Sequence, residues 1–212
     1  MNFRAILFDL DGTLIDQFTA IHRAFSKTLS KMGLREPSYE EVKRAVGGAS
    51  EATMTKLIGP SRAKEAVAIL RPIFEAEMLL DLTCLPYVKE GLKLITENHI
   101  PCAVLTNKYG PHARSSCKHL GLSEHLKFVL GANDTKWKKP EPQFARVALE
   151  KLGSSPDETI YVVDSPYDYD TAVKSKMQCH LVATGTHSYD ELSALNAQTT
   201  HPNFESLVEH LI

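Results

Sequence analysis

Short apolar runs alternate with amphipathic stretches along most of this chain. Five of the runs have the length of a buried strand, and most of the intervening stretches repeat apolar positions at helical spacing. We predict strands at residues 5–8, 102–105, 128–130, 160–163 and 181–183. Strands that alternate with helices in this way predict an α/β fold, with a doubly wound parallel sheet and helices on both faces.

The alternation stops between residues 16 and 82, where the pattern is helical throughout. Two apolar stripes at helical spacing are formed by Phe18, Ile21, Phe25, Leu29 and Met32 and by Ala66, Leu70, Ile73 and Phe74. Pro72 lies inside the second stripe and is expected to kink or split that helix. A helical stretch this long is no ordinary crossover connection. We therefore predict a helical bundle at residues 16–82, inserted into a core formed by residues 1–15 and 83–212.

Composition narrows the possible functions. Hydrophobic residues make up 43% of the 212 positions, which is enough for a buried core plus a small insert. A net charge of -2 argues against a general nucleic-acid binder, and no apolar run is long enough to predict a membrane span. The N-terminus lacks the layout of a signal peptide. The four cysteines are scattered and form no CxxC pair, so we expect a reduced, cytoplasmic protein without a structural zinc.

Two carboxylates, Asp9 and Asp11, follow the first predicted strand in the run FDLDGTL. Loops at the ends of strands are where open α/β sheets place their ligand sites. Two carboxylates this close repel each other unless a cation lies between them, and oxygen ligands of this kind suit Mg²⁺. For this pair alone, a strand-ending turn without function is the alternative, because Asp and Gly are common in turns.

Three further polar segments follow along the chain. Thr106 and Asn107 end the second predicted strand, Lys139 lies in the run KKPEP before a helical pattern, and Asp164 opens the run DSPYD after the fourth strand. Together and in this order, the four motifs resemble those of the haloacid dehalogenase-like hydrolase superfamily, and most of all its phosphoglycolate phosphatase-like branch. The resemblance covers the whole chain and implies a Rossmann-like core with a small helical cap.

The resemblance also implies an activity, that of a Mg²⁺-dependent phosphatase for small organic phosphate monoesters such as phosphoglycolate. Asp9 would attack phosphorus and form an aspartyl-phosphate. Asp11 would protonate the leaving group and then activate water against the phospho-enzyme. In the family pattern the functional lysine directly precedes proline, which selects Lys139 as the cation that stabilises the transferring phosphoryl group.

A metal site is implied at the same edge of the sheet. Asp164 is expected to complete it with Asp9 and the backbone carbonyl of Asp11, while waters and phosphate fill the remaining positions around Mg²⁺. Asp168, four residues further on, is expected to orient Lys139 or to hold waters of the metal.

Two details of these motifs bear on activity. Thr106 and Asn107 are expected to hold phosphoryl oxygens through a hydroxyl and nearby backbone N–H groups.

The family usually has glycine directly before the acid at position 164, and this chain has Val163. Since a β-branched residue fits a strand better than a turn, we expect the strand to run one residue longer here. Asp164 would then still be placed correctly for metal binding, and we expect the protein to have modest activity.

The predicted cap contains one segment that bears on the substrate. Gly47 and Gly48 make a turn between cap helices, and such loops face the active site in relatives. Arg44 could then bind a substrate carboxylate. A solvated turn between helices explains the same residues equally well.

Three other functions compete with the phosphatase. A phosphomutase of the β-phosphoglucomutase type would have a hinge histidine where this chain has Ile21, with His22 one step off. A signalling receiver has no second acid like Asp11 and no helical insert. A non-catalytic phospho-ligand-binding relative is the third alternative, favoured by Val163 alone. We expect a small phosphate ester as the partner, no nucleic acid or membrane, and a monomer or homodimer.

Overall fold

The computed structural model describes residues 3–212, and a parallel sheet lies at the centre of this part of the chain. Its strands are β1 (Ala5–Phe8), β2 (Ile15–Asp16), β3 (Thr83–Cys84), β4 (Cys102–Leu105), β5 (Val129–Leu130), β6 (Thr159–Val163), β7 (Gln178–Val182) and β8 (Thr199–His201). Six of them form the sheet in the order β5-β4-β1-β6-β7-β8, with every neighbouring pair parallel. The strand order reverses at β1, which creates a topological switch point between β1 and β6.

Helices connect these strands and cover the sheet. They are α1 (Phe18–Lys31), α2 (Tyr39–Ala45), α3 (Ser50–Ile58), α4 (Pro60–Glu77), α5 (Val88–Glu97), α6 (Gly110–His119), α7 (Pro142–Leu152), α8 (Pro166–Ser175), α9 (Tyr189–Ser193) and α10 (Phe204–Leu211). Short 3₁₀ turns cover Leu122–His125 and Pro156–Glu158. The predicted α/β fold is therefore confirmed.

Two apolar clusters hold the helices on opposite faces of the sheet. Because alternate strand residues point to opposite faces, Ile6 and Phe8 of β1 pack beneath α5 and α10, whereas Leu7 packs beneath α7 and α8. Strands β1, β4 and β6 are buried along their whole length. Continuous apolar runs are typical of a parallel sheet that is covered on both sides, which is why these strands could be predicted.

The strands β5, β6 and β7 differ from the predicted ones by one to three residues at their ends, and one further strand of the parallel sheet was not predicted. β6 runs through Val163, which pairs with Leu181 of β7, so the expectation of a longer strand before Asp164 is confirmed. β7 begins at Gln178, three residues before the predicted start. The edge strand β8 was not expected, because its sequence Thr-Thr-His is polar, and its pairing with β7 comes from tertiary context.

Helices α1 to α4 form the inserted bundle and pack around an apolar cluster of their own. The two predicted stripes supply much of this cluster, including Phe18 and Phe25 from α1 and Leu70 and Phe74 from α4. The short antiparallel pair of β2 and β3 connects the bundle to the core. The predicted boundaries at residues 16 and 82 fall at this two-stranded ribbon.

Pro72 does not split its helix, so that part of the expectation is wrong. α4 runs continuously from Pro60 to Glu77 with Pro72 inside it. Proline removes one backbone hydrogen bond, to the carbonyl of Ala68 four residues earlier. Both residues are exposed to solvent, and water can satisfy that carbonyl.

None of the helices between residues 3 and 212 combines the length and the apolar character needed to cross a lipid bilayer.

Cys102 and Cys179 are buried in the core, as predicted, and burial raises the pKa of the Cys102 thiol to about 12. Such thiols are inert hydrophobic residues.

Candidate active site

Loops from both halves of the sheet meet at the switch point. Asp9 follows β1, Thr106 follows β4 and Asp164 follows β6, and these three strands are neighbours in the sheet. The carboxyl ends of parallel strands lie at one edge, so the three side chains come together. Lys139 joins them from the loop before α7. All four residues are buried, Asp9 being the most exposed of them at 6%.

Lys139 lies between two carboxylates. Its ammonium Nζ is 2.6 Å from Asp9 Oδ1 and also forms an ion pair with Asp168. Burial alone would lower the pKa of Lys139, but the charges of Asp168 and Asp9 outweigh it and hold that pKa well above its usual value. The lysine therefore stays cationic although it is 1% exposed.

The lysine backbone is fixed by a side chain on the neighbouring loop. Asn107 Oδ1 accepts a hydrogen bond from Lys139 N at 2.9 Å, and Asn107 Nδ2 donates to the Lys139 carbonyl at 3.1 Å. The Tyr167 hydroxyl donates to the same carbonyl at 2.7 Å. The side-chain amide of Asn107 thus holds the loop that carries Lys139. The backbone N–H of Asn107 is then the group of this residue that could reach a phosphate.

Three buried carboxylates gather around this lysine. Single oxygens of Asp9, Asp164 and Asp168 all lie within 4.8 Å of one another. Burial, followed by repulsion from Asp9 and Asp168, raises the pKa of Asp164 well above its usual value. Burial also raises the pKa of Asp168, to about 6, although the Lys139 charge opposes this. One lysine does not balance three carboxylates.

The donor set fits a divalent cation. Carboxylate oxygens are hard ligands, which suit Mg²⁺, and a cation among them would relieve the repulsion that raises these pKa values. Since Lys139 already binds Asp9 and Asp168, the remaining oxygens of Asp9 and Asp164 are best placed to hold the ion. Ser165 fixes Asp168 from the other side, because its hydroxyl donates to Asp168 Oδ2 at 2.7 Å.

Asp11 lies beside a lysine that the sequence analysis did not identify. Lys108 Nζ donates to both oxygens of Asp11, at 2.9 and 3.0 Å. Burial raises the pKa of Asp11 in spite of the Lys108 charge, and the charge of Asp9 raises it further. Thr106 is part of the same loop, and its Oγ1 accepts a hydrogen bond from Lys108 N at 3.2 Å.

Known proteins are similar to this chain in sequence and in fold. The family described as haloacid dehalogenase-like hydrolase matches residues 6–182. The chain belongs to the haloacid dehalogenase-like hydrolase family. Its curated relatives include a phosphoglycolate phosphatase of Photorhabdus laumondii, which is 27% identical over 212 residues and covers 97% of this chain and 91% of that protein.

Other relatives bear on the same branch of the family. A pyrophosphatase of Oceanobacillus iheyensis is 27% identical over 204 residues, covering 96% of this chain and 92% of that protein. Among solved structures, a haloacid dehalogenase-like hydrolase from Streptococcus pneumoniae superposes with a TM-score of 0.91 at 21% identity, over 100% of this chain and 99% of that chain. The superposition shows the shared fold, and the relatives indicate the phosphatase branch that the motifs predicted.

One feature of this family member, the loop after β7, was missed by the sequence analysis. Thr186 N donates to Asp164 Oδ2 at 3.0 Å, and Thr184 Oγ1 donates to the Gly12 carbonyl at 2.7 Å. A methyl group at Gly185 would lie 1.8 Å from Asp164 Oδ2. The signal was a Thr-Gly-Thr run directly after a predicted strand, at the edge where the site residues lie.

This contact makes Gly185→Ala a test of the candidate metal site. The added methyl must displace the Asp164 carboxylate, so we expect Mg²⁺ to lose its stabilising effect on the variant. At a hundredfold excess over its dissociation constant, Mg²⁺ should stabilise the wild-type protein by about 2.7 kcal/mol. Urea unfolding with and without Mg²⁺ measures this difference. Thr184→Ser, which keeps its hydroxyl, is the control, and an undiminished Mg²⁺ effect in Gly185→Ala would contradict the placement of the ion.

The cap side of the site contains the three residues proposed for specificity. Arg44 donates to the Thr186 carbonyl at 3.1 Å and pairs with Glu191 at 2.8 Å, both in the core. Gly47 and Gly48 line a cavity of about 300 Å³ between cap and core. The glycines therefore face the candidate site, whereas Arg44 lies outside the cavity lining and connects the cap to the core.

The cavity combines two kinds of surface. Its core side carries the carboxylates together with Thr106, Asn107 and Lys108, and its cap side combines apolar residues with the polar residues Ser50, Glu51, Thr53 and Arg71. The apolar residues on the cap side are Ile21, Phe25, Val46, Ala49, Val67, Leu70 and Phe74. Another contact between cap and core joins His112 Nε2, which lines this cavity, to Glu75 at 3.0 Å. The structure therefore has the cap docked over the carboxylates.

Proposed function

We propose that this chain is a Mg²⁺-dependent phosphatase that hydrolyses small phosphate monoesters through an aspartyl-phosphate on Asp9. The observation that carries this proposal is the group of buried carboxylates around the buried ammonium of Lys139, beneath a cavity of about 300 Å³. A carboxylate nucleophile, a point cation and a divalent metal are what phosphoryl transfer requires.

Asp9 acts first in the proposed reaction. One Asp9 oxygen attacks phosphorus in line, the bond from phosphorus to the ester oxygen breaks, and an acyl phosphate forms. Lys139 stabilises the charge that spreads over the equatorial phosphoryl oxygens. Thr106 and the backbone N–H of Asn107 support the same oxygens. This division replaces one difficult hydrolysis with two easier steps.

Asp11 supplies and removes the proton. In the first step its carboxyl gives a proton to the leaving alkoxide, and in the second it takes a proton from the water that attacks the phospho-enzyme. The direction in which burial shifts the pKa of Asp11, upward, supports this role, because it favours the protonated carboxyl that the first step needs. Phosphate then leaves, and Asp9 is restored as a carboxylate.

Asp9, Asp164 and the backbone carbonyl of Asp11 would hold Mg²⁺. When bound, the ion neutralises charge on the phosphoryl group and on the crowded carboxylates. Asp168 keeps Lys139 in place through their ion pair. The Thr186 N–H fixes Asp164 in the orientation that faces Asp9.

The cavity and the relatives together favour a small substrate. The docked cap leaves room for a compact leaving group, and the phosphoglycolate phosphatase of Photorhabdus laumondii makes phosphoglycolate the first candidate. The structure offers no support for a phosphomutase. Ile21 lines the cavity, whereas His22 Nε2 lies 3.0 Å from the Pro37 carbonyl inside the cap.

A panel of phosphate compounds tests the proposed function. We would measure phosphate release from phosphoglycolate, p-nitrophenyl phosphate, glucose 1-phosphate and pyrophosphate, with Mg²⁺ and with excess chelator. Release that needs Mg²⁺ and is fastest on a small monoester supports the proposal. Conversion of glucose 1-phosphate to its 6-phosphate faster than its hydrolysis would support the mutase, and no release from any compound would contradict the phosphatase.

The role of Asp11 predicts a dependence on the leaving group. Asp11→Asn should lower kcat on alkyl phosphates by about 10³-fold, because the alkoxide no longer receives a proton. Nitrophenolate is a leaving group that needs no proton. The first step with p-nitrophenyl phosphate should therefore keep its rate, while hydrolysis of the phospho-enzyme slows. Rapid mixing with p-nitrophenyl phosphate should then show a burst of nitrophenol stoichiometric with enzyme. Equal losses on both substrates without a burst would exclude this role for Asp11.

A further inference from the structure

Three histidines meet at the β8 edge of the sheet, outside the candidate active site. His180 belongs to β7, His201 to β8 and His210 to α10. One ring nitrogen from each lies within 4.8 Å of the other two. His180 and His201 are buried, at 4% and 7% exposure, while His210 is exposed to solvent. The cluster is therefore a small polar group set at the edge of an apolar layer, with one side open.

The strand register explains why they meet. Val182 pairs with His201 across the parallel strands, and His180 lies two residues before Val182, so both imidazoles point to the same face. α10 covers this face with Phe204 and Val208, which pack into the same apolar cluster as Val182. His210, in the last turn of that helix, then reaches the two strand histidines.

Hydroxyl groups orient the two buried rings. Thr199 Oγ1 is 2.7 Å from His180 Nδ1 and 2.8 Å from His201 Nε2, and Ser206 Oγ is 3.3 Å from His201 Nδ1. A metal-binding histidine is typically held through the ring nitrogen that does not bind the ion, which fixes the ring and its tautomer. Both nitrogens of His201 have a hydroxyl partner, so an ion bound by His201 would replace one of them, and the contact with Ser206 is the longer. His210 has no hydrogen-bond partner on its ring among residues 3–212.

Both buried rings are in the form that binds metals. Burial, with smaller contributions from the other two histidines, lowers the pKa of His180 to about 4. Burial and the His210 charge also lower the pKa of His201. Neutral imidazole is the ligand form, so no proton has to leave these rings at neutral pH.

We propose that His180, His201 and His210 form a second metal site, which binds a divalent transition ion of the zinc class. Three imidazoles suit Zn²⁺, Co²⁺, Ni²⁺ and Cu²⁺ and disfavour Mg²⁺, so this site and the carboxylate site take different ions. Tetrahedral zinc needs ligand nitrogens roughly 3.4 Å apart. His210, exposed on the final helical turn, can close that gap. The ion would tie β7 and β8 to the C-terminal helix.

Zinc binding in the presence of saturating Mg²⁺ tests this site. Calorimetric titration of the full chain with Zn²⁺ should show one equivalent bound, accompanied by a higher unfolding temperature. His210→Ala should weaken Zn²⁺ binding by about tenfold or more. Because His210 is exposed, this variant is expected to fold normally, and circular dichroism checks that. His119→Ala, at another exposed histidine, is the matched control and should bind Zn²⁺ as the wild type does.

Two readouts separate this site from the candidate active site. Co²⁺ bound in a tetrahedral nitrogen-rich site gives intense visible bands, and these should appear in the wild type and vanish in His210→Ala. Mg²⁺-dependent phosphate release should be the same in both proteins. Zn²⁺ binding that survives in His210→Ala but disappears in Asp164→Asn would overturn the proposal, as would a lack of Zn²⁺ binding to the wild type.

Discussion

Asp9→Asn should abolish phosphate release, with kcat lower by about 10⁴-fold or more on every ester. An amide oxygen is a poor nucleophile, and the acyl phosphate cannot form on it. The substitution also leaves the buried Lys139 with one carboxylate partner fewer. Steady-state release from the best substrate of the panel, in saturating Mg²⁺, measures the loss.

The control for this variant is Asp170→Asn. Asp170 lies on α8, where it pairs with Lys174 at the surface, so its substitution changes the net charge equally without touching the site. We expect activity close to wild type in Asp170→Asn. If Asp9→Asn kept more than a small fraction of wild-type turnover, the nucleophile would be another group.

Lys139→Met should lower kcat by about 10³-fold, because the transferring phosphoryl group loses its point cation. Methionine fills a similar volume without the charge. Removing one member of a buried ion pair also destabilises the protein, here by about 3 kcal/mol without metal, since Asp9 and Asp168 lose their partner. Phosphate release and urea unfolding measure the two effects separately.

Lys136→Met is the matched control for this prediction. Lys136 is exposed, and its ammonium lies 4.8 Å from the centre of the Trp137 ring. We expect nearly unchanged activity and stability in the control. Equal losses in the two variants would mean that the effect of Lys139→Met comes from net charge rather than from the position of Lys139. Added Mg²⁺ should restore part of the stability of Lys139→Met but not its activity.

The sheet and its functional edge could be predicted because their causes are local. β1 and β4 are continuous apolar runs, and so is β6 after its first residue, Thr159; a polar residue directly follows each of these strands. Parallel pairing then brings Asp9, Thr106 and Asp164 to one edge, whatever the details of the loops. Even Val163, which departs from the family pattern, extended its strand in the way that a β-branched residue favours.

Features that depend on distant contacts could not be predicted in this way. The pairing of Lys108 with Asp11 joins residues 97 positions apart in the sequence, and the contact of Gly185 with Asp164 depends on the close approach of two loops. Arg44 has a polar side chain that could reach a substrate or a neighbouring acid, and only the docked cap shows that it pairs with Glu191. The spacing of residues along the sequence does not indicate which distant residue a side chain contacts.

The two candidate metal sites also differ in whether they could be predicted from the sequence. The carboxylate site follows from motifs at strand ends, which a single pass along the chain detects. The histidines at 180, 201 and 210 have no recognisable ligand spacing, and the scattered cysteines gave no reason to expect a zinc-class ion. Only the register of β7 with β8 and the docking of α10 bring these three rings together.

Trapping the phospho-enzyme tests the central claim most directly. Borohydride reduces an acyl phosphate on aspartate to homoserine, and peptide mass spectrometry locates the change. Asp11→Asn should accumulate the intermediate when p-nitrophenyl phosphate and Mg²⁺ are present, because the first step with this substrate needs no proton and the second step is slowed. The account predicts homoserine at position 9, and none when substrate is left out. Ongoing turnover with an unmodified Asp9, or reduction at another carboxylate instead, would contradict it.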